Sequence, residues 1–158
     1  MRFVAPQPTP RGLARRVPPA IFVPVMGLLG LGLAWRQAAA ALDVPPGVGE
    51  GLLGAFCLLA AFCLVAYGLK VARRPGVMIE DVSVLPGRLG LSAMAVTIYL
   101  VATAIAPLLP ITARLFLGAG LVLHAGLIVM IARYLLRQPP EARRYAASGH
   151  LYFTSPVV

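Results

Sequence analysis

The chain has 158 residues, 59% of them hydrophobic, and a mean hydropathy of +0.87. That is well above the ~45–50% apolar content of soluble globular domains, whose helices also need polar faces, so a soluble fold is excluded. The formal net charge is +9, yet the basic residues form no single patch with interleaved aromatics, which argues against a nucleic-acid partner.

Residues 1–16, with Pro6, Pro8, Pro10 and Arg11, read as a tail outside the membrane. Four uncharged apolar runs follow, Val17–Trp35, Gly51–Leu69, Leu89–Ala113 and Leu115–Ala132, of 19, 19, 25 and 18 residues. Each can cross a hydrocarbon core of about 30 Å as a helix rising ~1.5 Å per residue. The expected fold is an all-α integral membrane protein whose membrane domain covers residues 17–158. Its helices are expected at about 18–40, 50–72, 88–107 and 112–137, arranged as two antiparallel hairpins. Val44-Pro45-Pro46-Gly47 and Arg73-Arg74-Pro75-Gly76 supply turns, Pro107 and Pro110 the third, and Pro139-Pro140 stops the fourth helix. The segment 150–158 reads as the start of a fifth span, too short to cross, as in a fragment or a truncated gene product.

A basic Arg11–Arg16 stretch before an apolar run, with small residues at Ala38–Ala41, has the outline of a cleavable signal, and Arg15-Arg16 of a twin-arginine one. The run instead carries Pro24 and ends on Trp35-Arg36, an interfacial anchor pair, and three further spans follow. An uncleaved first span is therefore expected.

Charge sorts by connector. Arg2, Arg11, Arg15 and Arg16 precede the first run. Lys70, Arg73, Arg74 and Arg88 lie between the second and third. Arg133, Arg137, Arg143 and Arg144 follow the fourth, whereas the other two connectors hold only Arg36 and Arg114. Twelve positive residues against two predict a cytoplasmic N-terminus in an inner membrane.

Chemistry-bearing residues are few. The five acids, Asp43, Glu50, Glu80, Asp81 and Glu141, all fall between the runs. Cys57 and Cys63 are six apart, roughly 240° around a helix, and have no His or acid at metal spacing; they read as buried thiols. No Ser/His/Asp set, His-Glu metal motif or phosphate loop occurs, so catalytic residues, a metal and a cofactor are not expected, and nor is an enzyme. Gly30-Leu-Gly32 and Gly118-Ala-Gly120 sit within helices. His124 is the one ionisable group deep in a run. A proton relay or ion contact is one reading; a neutral imidazole hydrogen-bonded to a neighbouring helix is the other.

Small residues form stripes. Projected at 100° per residue, Ser92, Ala95, Tyr99, Ala102, Thr103 and Ala106 share one face, and Leu91, Met94, Ile98, Val101 and Ile105 take the opposite half. In the first run Ala20, Pro24, Gly27, Gly30 and Ala34 fall together. Such stripes mean either close helix packing or the wall of a conduit. Pro24 is expected to kink its helix by freeing the Ala20 carbonyl. The candidate pore-lining residues are thus Pro24, Gly27, Gly30, Ser92, Tyr99 and Thr103. A path without internal negative charge and with basic approaches suits small anions better than cations.

The stretch Val17-Pro-Pro-Ala-Ile-Phe-Val-Pro-Val-Met-Gly-Leu-Leu-Gly-Leu-Gly-Leu-Ala-Trp35 resembles the first helix of the tellurite-resistance/dicarboxylate transporter family, which includes the TehA-like proteins and the plant slow anion channels of the SLAC1 type. The matching features are an aromatic followed by proline near the helix start, then Gly27-Leu28, then Ala34-Trp35. Val84-Leu-Pro-Gly-Arg88 leading to Ser92 is similar to the family's proline–basic approach to its third helix. The long fourth helix ending in basic residues also fits. The resemblance covers about residues 17–158. It implies a ten-helix, five-hairpin channel fold with odd-numbered helices lining an anion pore, an aromatic gate on the ninth helix and a homotrimer. On that pattern this chain holds the N-terminal portion, and the gate lies outside it. Tellurite resistance or C4-dicarboxylate transport is implied by the family alone; malate-like dicarboxylates, sulfite and chloride stay open. The rival from another class is a non-transporting four-helix membrane subunit or scaffold, its stripes serving as interfaces.

Overall fold

The computed structural model describes residues 17–42 and 45–139. The expected tail at 1–16 and the short segment at 150–158 lie outside the described residues. A single 3-10 turn, Pro19–Ile21, leads into α1, Phe22–Leu42. Then come α2 (Pro46–Arg73), α3 (Val77–Ser83), α4 (Leu85–Ile105) and α5 (Pro110–Arg137). Four of these segments, Pro19–Leu42, α2, α4 and α5, are long and apolar enough to cross a bilayer. The chain is an all-helical, multi-pass membrane protein, with no strand among the described residues.

Prolines open the helices instead of separating them. Pro46 and Pro110 are the first residues of α2 and α5, and Pro86 is the second of α4. A fixed φ and a missing N–H cost nothing in a first turn, whose N–H groups have no intrahelical partner. The three helices therefore start earlier than 50, 88 and 112. Pro24 follows the same logic. The chain enters through the 3-10 turn, so Pro24 is the third residue of α1 and lies in its first turn. The expected interior kink is corrected accordingly: the proline sits where no intrahelical bond has to be broken.

α4 is the packing centre. It touches α1, α2, α3, α5 and the 3-10 turn, and Leu91, Ala93, Ala95, Thr97 and Ala104 are all buried. Lipid tails are as apolar as Leu, so helix association here rests on close packing, and small residues allow it. A methyl group at Gly90 would overlap the Pro19 backbone, and one at Gly87 the Asp81 backbone. At Gly32 it would lie 2.8 Å from Leu53 Cδ1, and at Gly120 2.8 Å from Tyr99 Cε1. Gly49 takes the Trp35 ring in the same way. These five glycines hold the helices together.

Ion pairs close both ends of the bundle. At one end Arg36 Nε donates to Glu50 Oε1 at 2.6 Å and Nη2 to Oε2 at 2.7 Å, while Nη1 donates to the Ala104 carbonyl at 3.1 Å, joining α1, α2 and α4. At the other end Lys70 Nζ donates to Asp81 Oδ2 at 3.1 Å and to the Val17 carbonyl at 3.0 Å. Tyr67 also donates to Asp81 Oδ2, at 2.8 Å, and its ring meets Phe22 edge-on. The short α3 is thereby clamped to α2 and to the start of α1.

Candidate functional site

The α1 stripe lies on the open side of that helix. Phe22, Val25, Leu29 and Gly32 face the protein, whereas Pro24, Gly27 and Ala34 are exposed and Ala20 and Gly30 are half-buried. A Cβ added at Gly27 or Gly30 meets no atom within 4 Å. Within the described chain this stripe is not a helix–helix interface. It is a smooth, uncovered strip.

The α4 stripe does not behave as one surface. Ser92 is 1% exposed, and Ala95 and Ala102 are also buried. The expected division into a small face and a bulky face fails because α4 has neighbours on both: Leu91, Met94 and Val101 are buried too. Ser92 Oγ donates to the Arg88 carbonyl at 3.1 Å, and Thr97, a residue the stripe did not include, donates to Ala93 at 2.8 Å. Thr103 is exposed, and its Oγ1 donates to the Tyr99 carbonyl at 3.0 Å. These hydroxyls spend their protons on their own helix, as Ser and Thr do inside helices.

Tyr99 turns toward α5. Its hydroxyl lies 3.1 Å from His124 Nδ1 and 3.3 Å from the Gly120 carbonyl, and its ring sits 6.0 Å from the His124 ring. His124 is 1% exposed. The Tyr99 hydroxyl donates to the Gly120 carbonyl, and the tautomer of His124 decides which of the two groups donates in the Tyr99–His124 contact. The structure thus brings Tyr99 and His124 together and separates both from the α1 strip.

Two hollows mark the ends. A cavity of about 270 Å³ lies at the head of the α1 stripe, lined by Val17, Pro19, Ala20, Lys70, Asp81 and Gly87 among others. A second, of about 330 Å³, lies between α4 and α5 at the opposite end, lined by Ala102, Thr103, Ala106, Pro110, Ala113, Arg114 and Leu117. Each has one cationic side chain in its wall. Arg114 is exposed, and no ion pair joins it among the described residues, whereas Arg36 at the same end is taken by Glu50. Sequence reasoning did not single out Arg114 as a candidate. The available signal was that Arg114 is one of only two basic residues on its side, and the other has an acid, Glu50, in the following connector.

Among the described residues no three His, Cys, Asp or Glu side chains converge on a point. Cys57 is half-buried and Cys63 buried, and both are free.

No curated protein and no solved structure matched the chain. A family match extends over residues 16–158, which takes in every described helix, and is described as SLAC1, voltage-dependent anion channel. Members of that family are membrane channels and transporters for anions. With four bilayer-length helices and a family match over nearly its whole length, the chain belongs to the SLAC1 family of voltage-dependent anion channels.

Proposed function

We propose that the α1 strip, Pro24, Gly27 and Gly30, forms part of the wall of a passive anion conduit, with Thr103 on α4 at one mouth. The observation that carries this reading is the open space beside Gly27 and Gly30: no atom lies within 4 Å of a Cβ placed there, on a helix otherwise packed into the bundle. Anions would be drawn in by Arg114 at one end, Lys70 at the other being already neutralised by Asp81, and would pass a wall that holds no unpaired charge. Ser92 and Tyr99 act as packing residues in this scheme. The remaining walls come from helices beyond the four described, in this chain or in further copies, with a trimer as the family-like assembly. The basic connectors favour an inner-membrane location with the N-terminus in the cytoplasm. Small oxyanions of the tellurite type and C4-dicarboxylates are the substrates to test first, with chloride beside them.

The same open strip also supports the scaffold reading, in which a partner helix covers Gly27 and Gly30. One substitution separates the two. Gly27→Leu should abolish anion flux in proteoliposomes while leaving the chain folded and its assembly unchanged. Loss of assembly in that variant, with no flux from the wild type under any driving potential, overturns the conduit in favour of the scaffold.

A further inference from the structure

A groove of about 410 Å³ runs between α3 and α5, away from the α1 strip. Its walls divide by chemistry. Ile79, Gly126 and Val129 are apolar and open, with Ile79 65% and Val129 49% exposed. The same lining includes Arg133 and Arg137, both exposed, with Tyr134 between them. Arg133 and Arg137 are four residues apart on one helix face, about 6 Å along the axis, and Gly126 lies ~10 Å further down.

The charge in this groove is unbalanced. The two acids of α3 are already engaged, Glu80 by Arg74 and Asp81 by Lys70. No ion pair reaches Arg133 or Arg137 among the described residues. Behind the groove, Arg88 is 5% exposed, its Nε has no hydrogen-bond partner among the described residues, and its guanidinium lies 5.7 Å from the centre of the Tyr134 ring. Tyr134 is fixed in place by donating to the Ser83 carbonyl at 3.1 Å. A buried guanidinium with no carboxylate among the described residues adds positive potential to a site that already holds two others.

We propose that this groove holds one anionic phospholipid, with its phosphate at Arg133 and Arg137 and an acyl chain along Gly126, Val129 and Ile79. A phosphodiester supplies the acceptor oxygens that two guanidinium groups favour, and the apolar stretch below them matches the lipid's own geometry. A free anion would use the arginines and leave the apolar wall bare. The proposal stands independently of the conduit.

The test is native mass spectrometry of the full chain in neutral detergent, with phosphatidylglycerol, phosphatidylcholine or inorganic phosphate added separately. The wild type should retain one phosphatidylglycerol in preference to phosphatidylcholine. Arg133→Gln with Arg137→Gln should lower that retention on the order of tenfold, consistent with the attraction of two arginines, and Lys at both positions should restore most of it. Gly126→Leu, at a position where a Cβ meets nothing within 4 Å, should block the acyl chain and lose the lipid with both arginines intact. It decides the matter should the double variant fail to fold. Equal retention by wild type and Gly126→Leu overturns the proposal. So does retention of inorganic phosphate without preference between the two lipids, or a dimer that dissociates when the groove is filled.

Discussion

Gly90 of α4 lies directly against the backbone of Pro19, so that the 3-10 turn at the start of the first span is seated on the third with no side chain between them. Gly90→Ala would force backbone to move away from backbone, a cost of about 1–3 kcal/mol for overpacking. Gly27→Ala adds the same methyl group into open space and should leave stability unchanged or raise it by up to about 1 kcal/mol through helix propensity. Thermal unfolding of the two variants in detergent checks this. Equal midpoints would show that the close approach of Gly90 carries no stability.

Asp81 is the shared acceptor of Lys70 and Tyr67, and the Lys70 and Asp81 side chains are only 12% and 16% exposed. Asp81→Asn should destabilise the chain by about 2 kcal/mol, because Lys70 is left charged and largely desolvated without its counter-ion. Lys70→Met in the same background should recover part of that loss. A double-mutant cycle on unfolding midpoints measures the coupling, and strict additivity of the two substitutions would remove the pair from the account.

The hydrogen bond between Tyr99 and His124 predicts that His124→Leu is mild. The Tyr99 hydroxyl keeps the Gly120 carbonyl as an acceptor, so the loss should be about 1 kcal/mol or less. Gly120→Ala should cost more, about 1–3 kcal/mol, because its methyl meets the Tyr99 ring. The pH profile of anion flux should be the same in His124→Leu as in the wild type. A flattened profile in that variant would restore His124 as a proton relay.

The four spans were legible in the sequence because a bilayer demands a length and a polarity that few other structures share. Their boundaries were less so. Pro46 and Pro110 read as turn residues and Pro86 as part of the approach to the third helix, yet each lies in the first turn of a helix, and the same residue type suits both places. The seven-residue α3 was not foreseen, since Val77-Met-Ile-Glu-Asp-Val-Ser83 is too short for a periodicity to show. The stripes were visible as spacing, but spacing does not name the neighbour. Gly27 and Gly32 look alike in sequence, and only the position of Leu53 makes one a packing residue and leaves the other open. Arg88 read as a connector charge because the Tyr134 ring it lies against is 46 positions away.

Arg114 offers a test of the conduit that leaves the bundle intact. It is exposed, stands in the wall of the cavity that holds Thr103, and has no ion pair among the described residues. A unit charge ~7 Å from an anion in water contributes about 0.6 kcal/mol, so Arg114→Gln should lower anion flux roughly threefold at low ionic strength. The deficit should shrink at high salt, where the Debye length falls below the separation. The pair of Arg36 and Glu50 at the same end should behave differently. Arg36 is already neutralised by Glu50 and bound to the Ala104 carbonyl, so removing both charges of that pair, Arg36→Gln with Glu50→Gln, should lower the unfolding midpoint and leave the salt dependence of flux unaltered. A salt-independent defect in Arg114→Gln would mean that Arg114 acts through packing, and the far mouth of the conduit would have to be sought elsewhere.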